Sequence, residues 1–355
     1  MNQQQPSNSR RLPGFSFAVF GCGLAVVVIV LGAFTRLVDA GLGCPDWPVC
    51  YGHILWPIDE QEVAAANSAF PDTPVEHDKT WPEQVHRLAA SSLGLVCIGI
   101  VIASLRHRRV NPSQPLVLPF FLLALVIVQG LFGMWTVTLK LWPQVVTAHL
   151  LGGFSTLACL YLLALRLHNQ HWQLPAAQLA GLARLRPLLL LSLFVVVIQI
   201  ALGGWTTSNY AALACPDLPT CQTHWIPPMD FRAGFDFMQD IGPNYLGGVM
   251  DSDARTAIHF SHRVGAVVVL LVVSLLVFAL RAQPIAAAQT WARALLAILL
   301  LQIALGLSNV YWSLPLPIAV AHNAVGAALL LAIVGLCHRL FTARATSDNS
   351  QSSGQ

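Results

Sequence analysis

The 355-residue chain is 55% hydrophobic and only 10% charged, with a mean hydropathy of +0.64. That balance excludes an ordinary soluble domain and points to an integral membrane protein. The formal charge of +3 comes from separate basic and acidic stretches, so it argues for no nucleic-acid partner and leaves the lipid membrane as the natural one.

In chain order, residues 1–14 carry Gln, Ser and two arginines without a cleavable signal pattern, and predict a cytoplasmic tail. Apolar runs follow at approximately 15–37, 86–105, 116–139, 145–167, 187–207, 258–280, 291–313 and 317–340. Most reach the roughly 20 residues a helix needs to cross about 30 Å of hydrocarbon, which predicts eight transmembrane helices. Trp142-Pro143 joins the third and fourth, and Pro315 and Pro317 the seventh and eighth, as tight hairpins. With the N-terminus inside, 12 of the 19 Lys and Arg residues fall on the cytoplasmic side, whereas the loops 38–85 and 208–257 hold 15 of the 16 acids. The basic bias places both termini in the cytoplasm and both long loops outside. The expected location is a bacterial inner membrane, with a disordered Ser-, Gln- and Asn-rich tail over 342–355.

The chain repeats itself. GAFTRLVDAGLGCPDWPVC (Gly32 to Cys50) aligns with GGWTTSNYAALACPDLPTC (Gly203 to Cys221) at an offset of 171, and Gln129 and Gly133 align with Gln302 and Gly306 at 173. Each half therefore contains four helices. An even number makes both halves start from the same side, related by an axis along the membrane normal. The fold expected is an all-α integral membrane protein of eight transmembrane helices, built as two tandem four-helix bundles with a pseudo-two-fold axis. The first repeat covers 15–167, a cytoplasmic linker 168–186, and the second repeat 187–341. Small residues such as Gly130, Gly133, Gly203 and Gly306 allow close approach of helices or of a flat ligand, ordinary helix packing being the plainer account.

Four histidines recur with the repeat. WPEQVHR (Trp81 to Arg87) matches AIHFSHR (Ala257 to Arg263), pairing His86 with His262, and His149 in VTAHLLGG matches His322 in AVAHNAVG. All four lie near the outer ends of their helices. Two imidazoles facing across a bundle suit a haem iron, which takes axial nitrogens from opposite porphyrin faces. Zinc would want further ligands, and only Glu83 and His259 stand near enough in sequence to supply them. His53, His77, His107, His168, His171, His224 and His338 lack such pairing and read as loop or border residues.

Arg87 and Arg263 follow the ligand histidines directly, where a guanidinium could meet haem propionates or reach lipid phosphate. Glu83 is placed one turn from His86, and its counterpart is His259. A carboxylate beside one porphyrin site alone suggests that one half alters its haem and the other keeps a resident one. The competing account is an ion pair with Arg87 or a cap on the helix. Cys44 with Cys50, and Cys215 with Cys221, each flank P-D-x-P-x in an outer loop and predict two local disulfides. Cys22, Cys97, Cys159 and Cys337 read as small core residues.

Together GAFTRLVDAGLGCPDWPVCYG, the EQVHR segment, HFSHRVGA and the two later histidines resemble the haem A synthase family over about 15–340, among its members with cysteine pairs in the outer loops. The resemblance implies oxidation of the C8 methyl group of haem O to a formyl group through successive hydroxylations, giving haem A for terminal cytochrome oxidases. It implies that His86 and His149 hold the substrate haem, that Glu83 acts in proton removal, and that His262 and His322 ligate a haem b cofactor. An electron acceptor or donor is also implied, and haem O synthase (protohaem farnesyltransferase) is the expected supplier of substrate. A non-enzymatic di-haem b electron carrier would explain the histidines equally well, and a parallel-repeat transporter would explain the duplication alone.

Overall fold

A computed structural model describes residues 11–346, so most of the expected disordered tail lies outside the described residues. The described chain is mostly helical: α1 (Phe15–Leu37), α2 (Glu60–Ala69), α3 (His77–Arg108), α4 (Val117–Thr138), α5 (Pro143–His168), α6 (Ala176–Ala183), α7 (Arg186–Ser208), α8 (Phe231–Gly234), α9 (Ser252–Arg281), α10 (Ala286–Tyr311) and α11 (Leu316–Thr342). Among the described residues eight segments are long and apolar enough to cross a membrane, α6 and α7 together making one, Ala176–Ser208. The protein is a multi-pass membrane protein.

Helices α3 and α9 begin well before the apolar runs that mark them, at His77 rather than 86 and at Ser252 rather than 258. Hydropathy registers only the length of helix that lipid solvates, while a polar turn above the lipid border satisfies its backbone in water. Glu83 is therefore not at a helix start; it lies in the second turn, directly after Pro82. The tail also holds more structure than expected: β2 (Arg344–Ala345) pairs in parallel with β1 (Gln173–Leu174) of the linker.

The expected proline hairpins are present and repeat in backbone detail. Lys140 and Leu141 adopt left-handed φ values of 48° and 61°, as do Ser313 and Leu314 at 55° and 63°, and Pro143 then starts α5 while Pro315 caps α11. Helices α1, α3, α4 and α5 pack on one another, as do α7, α9, α10 and α11, while α5 touches α7, α1 touches α11, and α5 touches α11. Leu160 and Leu163 of α5 and Ile333 and Leu336 of α11 are fully buried where these helices meet.

Counterpart positions also meet directly. Arg36 Nη2 donates to the Thr207 carbonyl at 2.6 Å and its guanidinium lies 4.1 Å from the Tyr210 ring centroid; the Tyr210 hydroxyl donates to Asp39 Oδ1 at 2.8 Å. The second outer loop drapes over the first repeat: Trp142 Nε1 donates to the Gln239 carbonyl at 3.1 Å, and the Tyr245 amide to the Lys140 carbonyl at 3.0 Å.

Candidate functional site

Each disulfide loop is folded around one aspartate. Asp46 accepts from the amides of Tyr51 (2.6 Å) and Gly52 (2.7 Å), and Asp217 from those of Gln222 (2.6 Å) and Thr223 (3.0 Å). The Thr220 hydroxyl, followed by these amides, holds the Asp217 carboxyl below its ordinary range. Cys44–Cys50 and Cys215–Cys221 are disulfides closing these loops.

The loops are clasped to α3 and α9 by the arginines of the repeated motif. Arg87 Nη1 donates to the carbonyls of Asp46 and Val49, both at 2.8 Å, and Arg263 donates to those of Thr220 (2.8 Å) and Cys215 (2.6 Å). These carbonyls take two of the five N–H donors of each guanidinium. Gly43 lies where the first loop crosses α3, and a Cβ there would sit 2.5 Å from the Lys79 carbonyl oxygen. Backbone cannot yield as a side chain can, so Gly43→Ala should lower stability by about 1–3 kcal/mol, read as a fall in the thermal midpoint of the purified protein.

Glu83 completes the first clasp. Its side chain is buried, with Oε2 accepting the Cys44 amide at 2.9 Å and Oε1 paired with Arg87 Nη2 at 2.5 Å. His259 is buried at the same place: its Nδ1 faces the Cys215 amide at 3.3 Å and its Nε2 faces Arg263 Nε at 3.3 Å. A carboxylate has lone pairs for both donors, whereas a neutral imidazole has one acceptor nitrogen, so His259 can satisfy only one of its two. The ion pair weighed from sequence is thus present, and the cap is not, because the helix starts six residues earlier.

The four repeated histidines lie in the halves of α3, α5, α9 and α11 nearest the disulfide loops. Each ring packs on a glycine of a neighbouring helix. A Cβ would come within 2.8 Å of His86 Cε1 at Gly32, 3.6 Å of His149 Cε1 at Gly133, 3.2 Å of His262 Cε1 at Gly203 and 3.1 Å of His322 Cε1 at Gly306. The sequence flagged three of these glycines for close approach but not their partners, because helix rotation decides which ring a glycine meets. The His86 and His149 rings are nearly perpendicular, at 87°, with centroids 6.3 Å apart.

Two observations test this donor set against a haem. Nδ1 of His86, His149 and His322 is buried without a hydrogen-bond partner, and such orphaned imidazole nitrogens are costly. An iron between two imidazoles, at the ~2 Å nitrogen distance common for first-row metals, would place ring centroids on the order of 6 Å apart, as His86 and His149 stand. Among the described residues no group of three or more His, Cys, Asp or Glu gathers as zinc would ask. His86 and His149 fit a porphyrin held between paired imidazoles.

Two amide side chains lie on the second pair, and of these the sequence singled out only Gln302, as the repeat partner of Gln129. Gln199 Nε2 donates to the His262 carbonyl at 2.9 Å and lies 3.1 Å from its Nδ1, and Gln302 Nε2 lies 3.3 Å from His322 Nε2. The residue 171 before Gln199 is Val28, so the first repeat lacks that contact.

A sequence profile of the COX15-CtaA family, described as cytochrome oxidase assembly protein, matches residues 16–334. The chain is 45% identical over 318 residues to the protein named Heme A synthase from Shewanella oneidensis, covering 89% of this chain and 93% of that one. It is 29% identical to Heme A synthase of Nitrosospira multiformis, covering 90% and 91%, and 27% identical to that of Caulobacter vibrioides, covering 87% and 90%.

Proposed function

The chain belongs to the COX15-CtaA family of cytochrome oxidase assembly proteins, and from that membership we propose that it is a haem A synthase, oxidising the C8 methyl group of haem O to a formyl group by successive hydroxylations. It does so in a bacterial inner membrane, with both termini cytoplasmic and two four-helix bundles, 15–167 and 187–341, arranged about a pseudo-two-fold axis. The observation that carries the reading is a pair of half-buried imidazoles in each repeat with a carboxylate beside only one pair.

His86 and His149 hold the substrate haem in the first bundle, and His262 and His322 hold a resident haem b in the second. Bound haem supplies the oxidising chemistry that an unactivated methyl group requires. The protein supplies ligation, orientation and a proton acceptor. Glu83 takes that last role, since its carboxylate lies one turn from His86 on the same helix face. By holding the disulfide loop over α3, Arg87 limits the exchange of this carboxylate with water. Gln199 and Gln302 restrain the imidazoles of the resident site. An electron acceptor or donor of unassigned identity completes the redox balance, and haem O synthase supplies the substrate.

A di-haem electron carrier is the second reading, favoured by one observation: Glu83 and His259 fill the same place in the same clasp, so loop-holding alone could account for the acid. Pigment extraction separates the two. Expressed in a host that makes haem O but lacks its own haem A enzyme, the chain should cause haem A to accumulate. Haem O remaining unconverted, with a haem spectrum on the purified protein, would leave the electron carrier.

A further inference from the structure

At the end of the molecule opposite the disulfide loops, four chain segments line an open cavity of about 460 Å³. The segment before α1 contributes Leu12, the α3–α4 connection contributes Asn111 and Ser113, the end of α5 contributes Arg166, and β2 contributes Arg344. We propose that this cavity binds the phosphate group of an anionic phospholipid through Arg166 and Arg344.

The walls are fixed by contacts that do not use the two arginines' side chains. The Leu12 amide donates to the Leu167 carbonyl at 2.7 Å, and the Gln114 amide nitrogen Nε2 to the Pro13 carbonyl at 3.0 Å. Arg108 donates to the Gln114 carbonyl at 2.9 Å, holding the α3–α4 connection. The Arg344 amide donates to the Trp172 carbonyl at 2.8 Å and Thr346 to Leu174 at 2.9 Å, so the tail is pinned where its guanidinium reaches the cavity. Two guanidiniums from distant parts of the chain thus share one opening.

Nothing negative among the described residues at this end answers them. The sequence has no Asp or Glu from 84 to 216 or from 254 to 346, which covers the inner ends of all eight spans beyond the N-terminal segment, itself free of acids. Burial, reinforced by Arg344 and Arg339, lowers the pKa of His171, so the neighbourhood already disfavours further positive charge. Basic pockets between transmembrane helices at this depth suit lipid head groups, and arginine forks match phosphate oxygens in pairs. Asn111 and Ser113 add neutral polar groups for the remaining oxygens. The connection is flanked by Val110 and Val117, 86% and 85% exposed, which offer apolar surface to acyl chains and nothing to a free ion.

The test uses the purified full-length protein in phosphatidylcholine nanodiscs with or without phosphatidylglycerol, read by thermal midpoint and by native mass spectrometry of retained lipid. Phosphatidylglycerol should be retained and should raise the midpoint. Arg166→Gln with Arg344→Gln should weaken its binding about 10- to 30-fold, each arginine near such a surface being worth about fivefold. Arg281→Gln with Arg293→Gln, an equal charge loss outside the cavity, should leave it within about twofold of the parent. If the cavity pair folds poorly in phosphatidylcholine, Arg166→Lys with Arg344→Lys replaces it and should bind at an intermediate level. Equal retention by parent and cavity variants, or equal loss in the control pair, would overturn the proposal. Millimolar inorganic phosphate that stabilises the lipid-free protein as strongly, and displaces the lipid, would also overturn it by making the ligand a free ion.

Discussion

Glu83→His should fold, keep its haem absorption and lose haem A formation by at least ~100-fold, the usual scale for removing a positioned acid-base group. The substitution is unusually clean because the chain already contains its product: His259 fills the equivalent place, buried, facing the Cys215 amide and Arg263. Loop-holding is therefore preserved to the extent the second repeat preserves it, while the carboxylate is gone. Glu83→Gln is a weaker control, since its amide NH2 would oppose either the Cys44 amide or Arg87, both of them donors. Pigments extracted from cells expressing the histidine variant give the answer. Haem A at parental levels would reduce Glu83 to a clasp and mean that another group takes the proton.

His262→Ala and His322→Ala should each strip the purified protein of its resident haem, with at least ~10-fold less haem per polypeptide, since loss of even an outer-shell partner of a ligand costs 10- to 100-fold in affinity. His86→Ala and His149→Ala should retain that haem and lose turnover instead. The asymmetry rests on the amide of Gln199, which reaches the His262 ring and has Val28 as its counterpart, whereas Gln302 has a counterpart in Gln129. Absorbance per protein, measured on the four variants side by side, checks it. Equal haem loss from both pairs would mean that the halves share the cofactor role.

What the sequence carried and what it withheld divide along a physical line. Residues that recur between the two halves were visible: the four histidines, the cysteine pairs now seen as disulfides, and the proline hairpins. Helix starts were displaced wherever a polar turn continued the helix above the lipid, as at His77 and Ser252. Contacts set by how one helix rotates against another were invisible. That is why the arginines, expected near porphyrin carboxylates, hold loop carbonyls, and why each histidine's glycine partner emerged only in three dimensions. Long-range pairs such as Trp142 with Gln239 had no sequence signal, because the loop that makes them has no periodicity to read.

The contact of Arg36 with Thr207 sets one further limit, since these positions are each other's duplicates and so are Asp39 and Tyr210. Were the two halves separate identical subunits, whatever stood at position 36 would have to face itself, and two arginines there would repel. Joining them in a single polypeptide lifts that constraint: one side can keep the cation while the other offers a carbonyl and an aromatic face. The seam between the halves can be asymmetric only because they are covalently one.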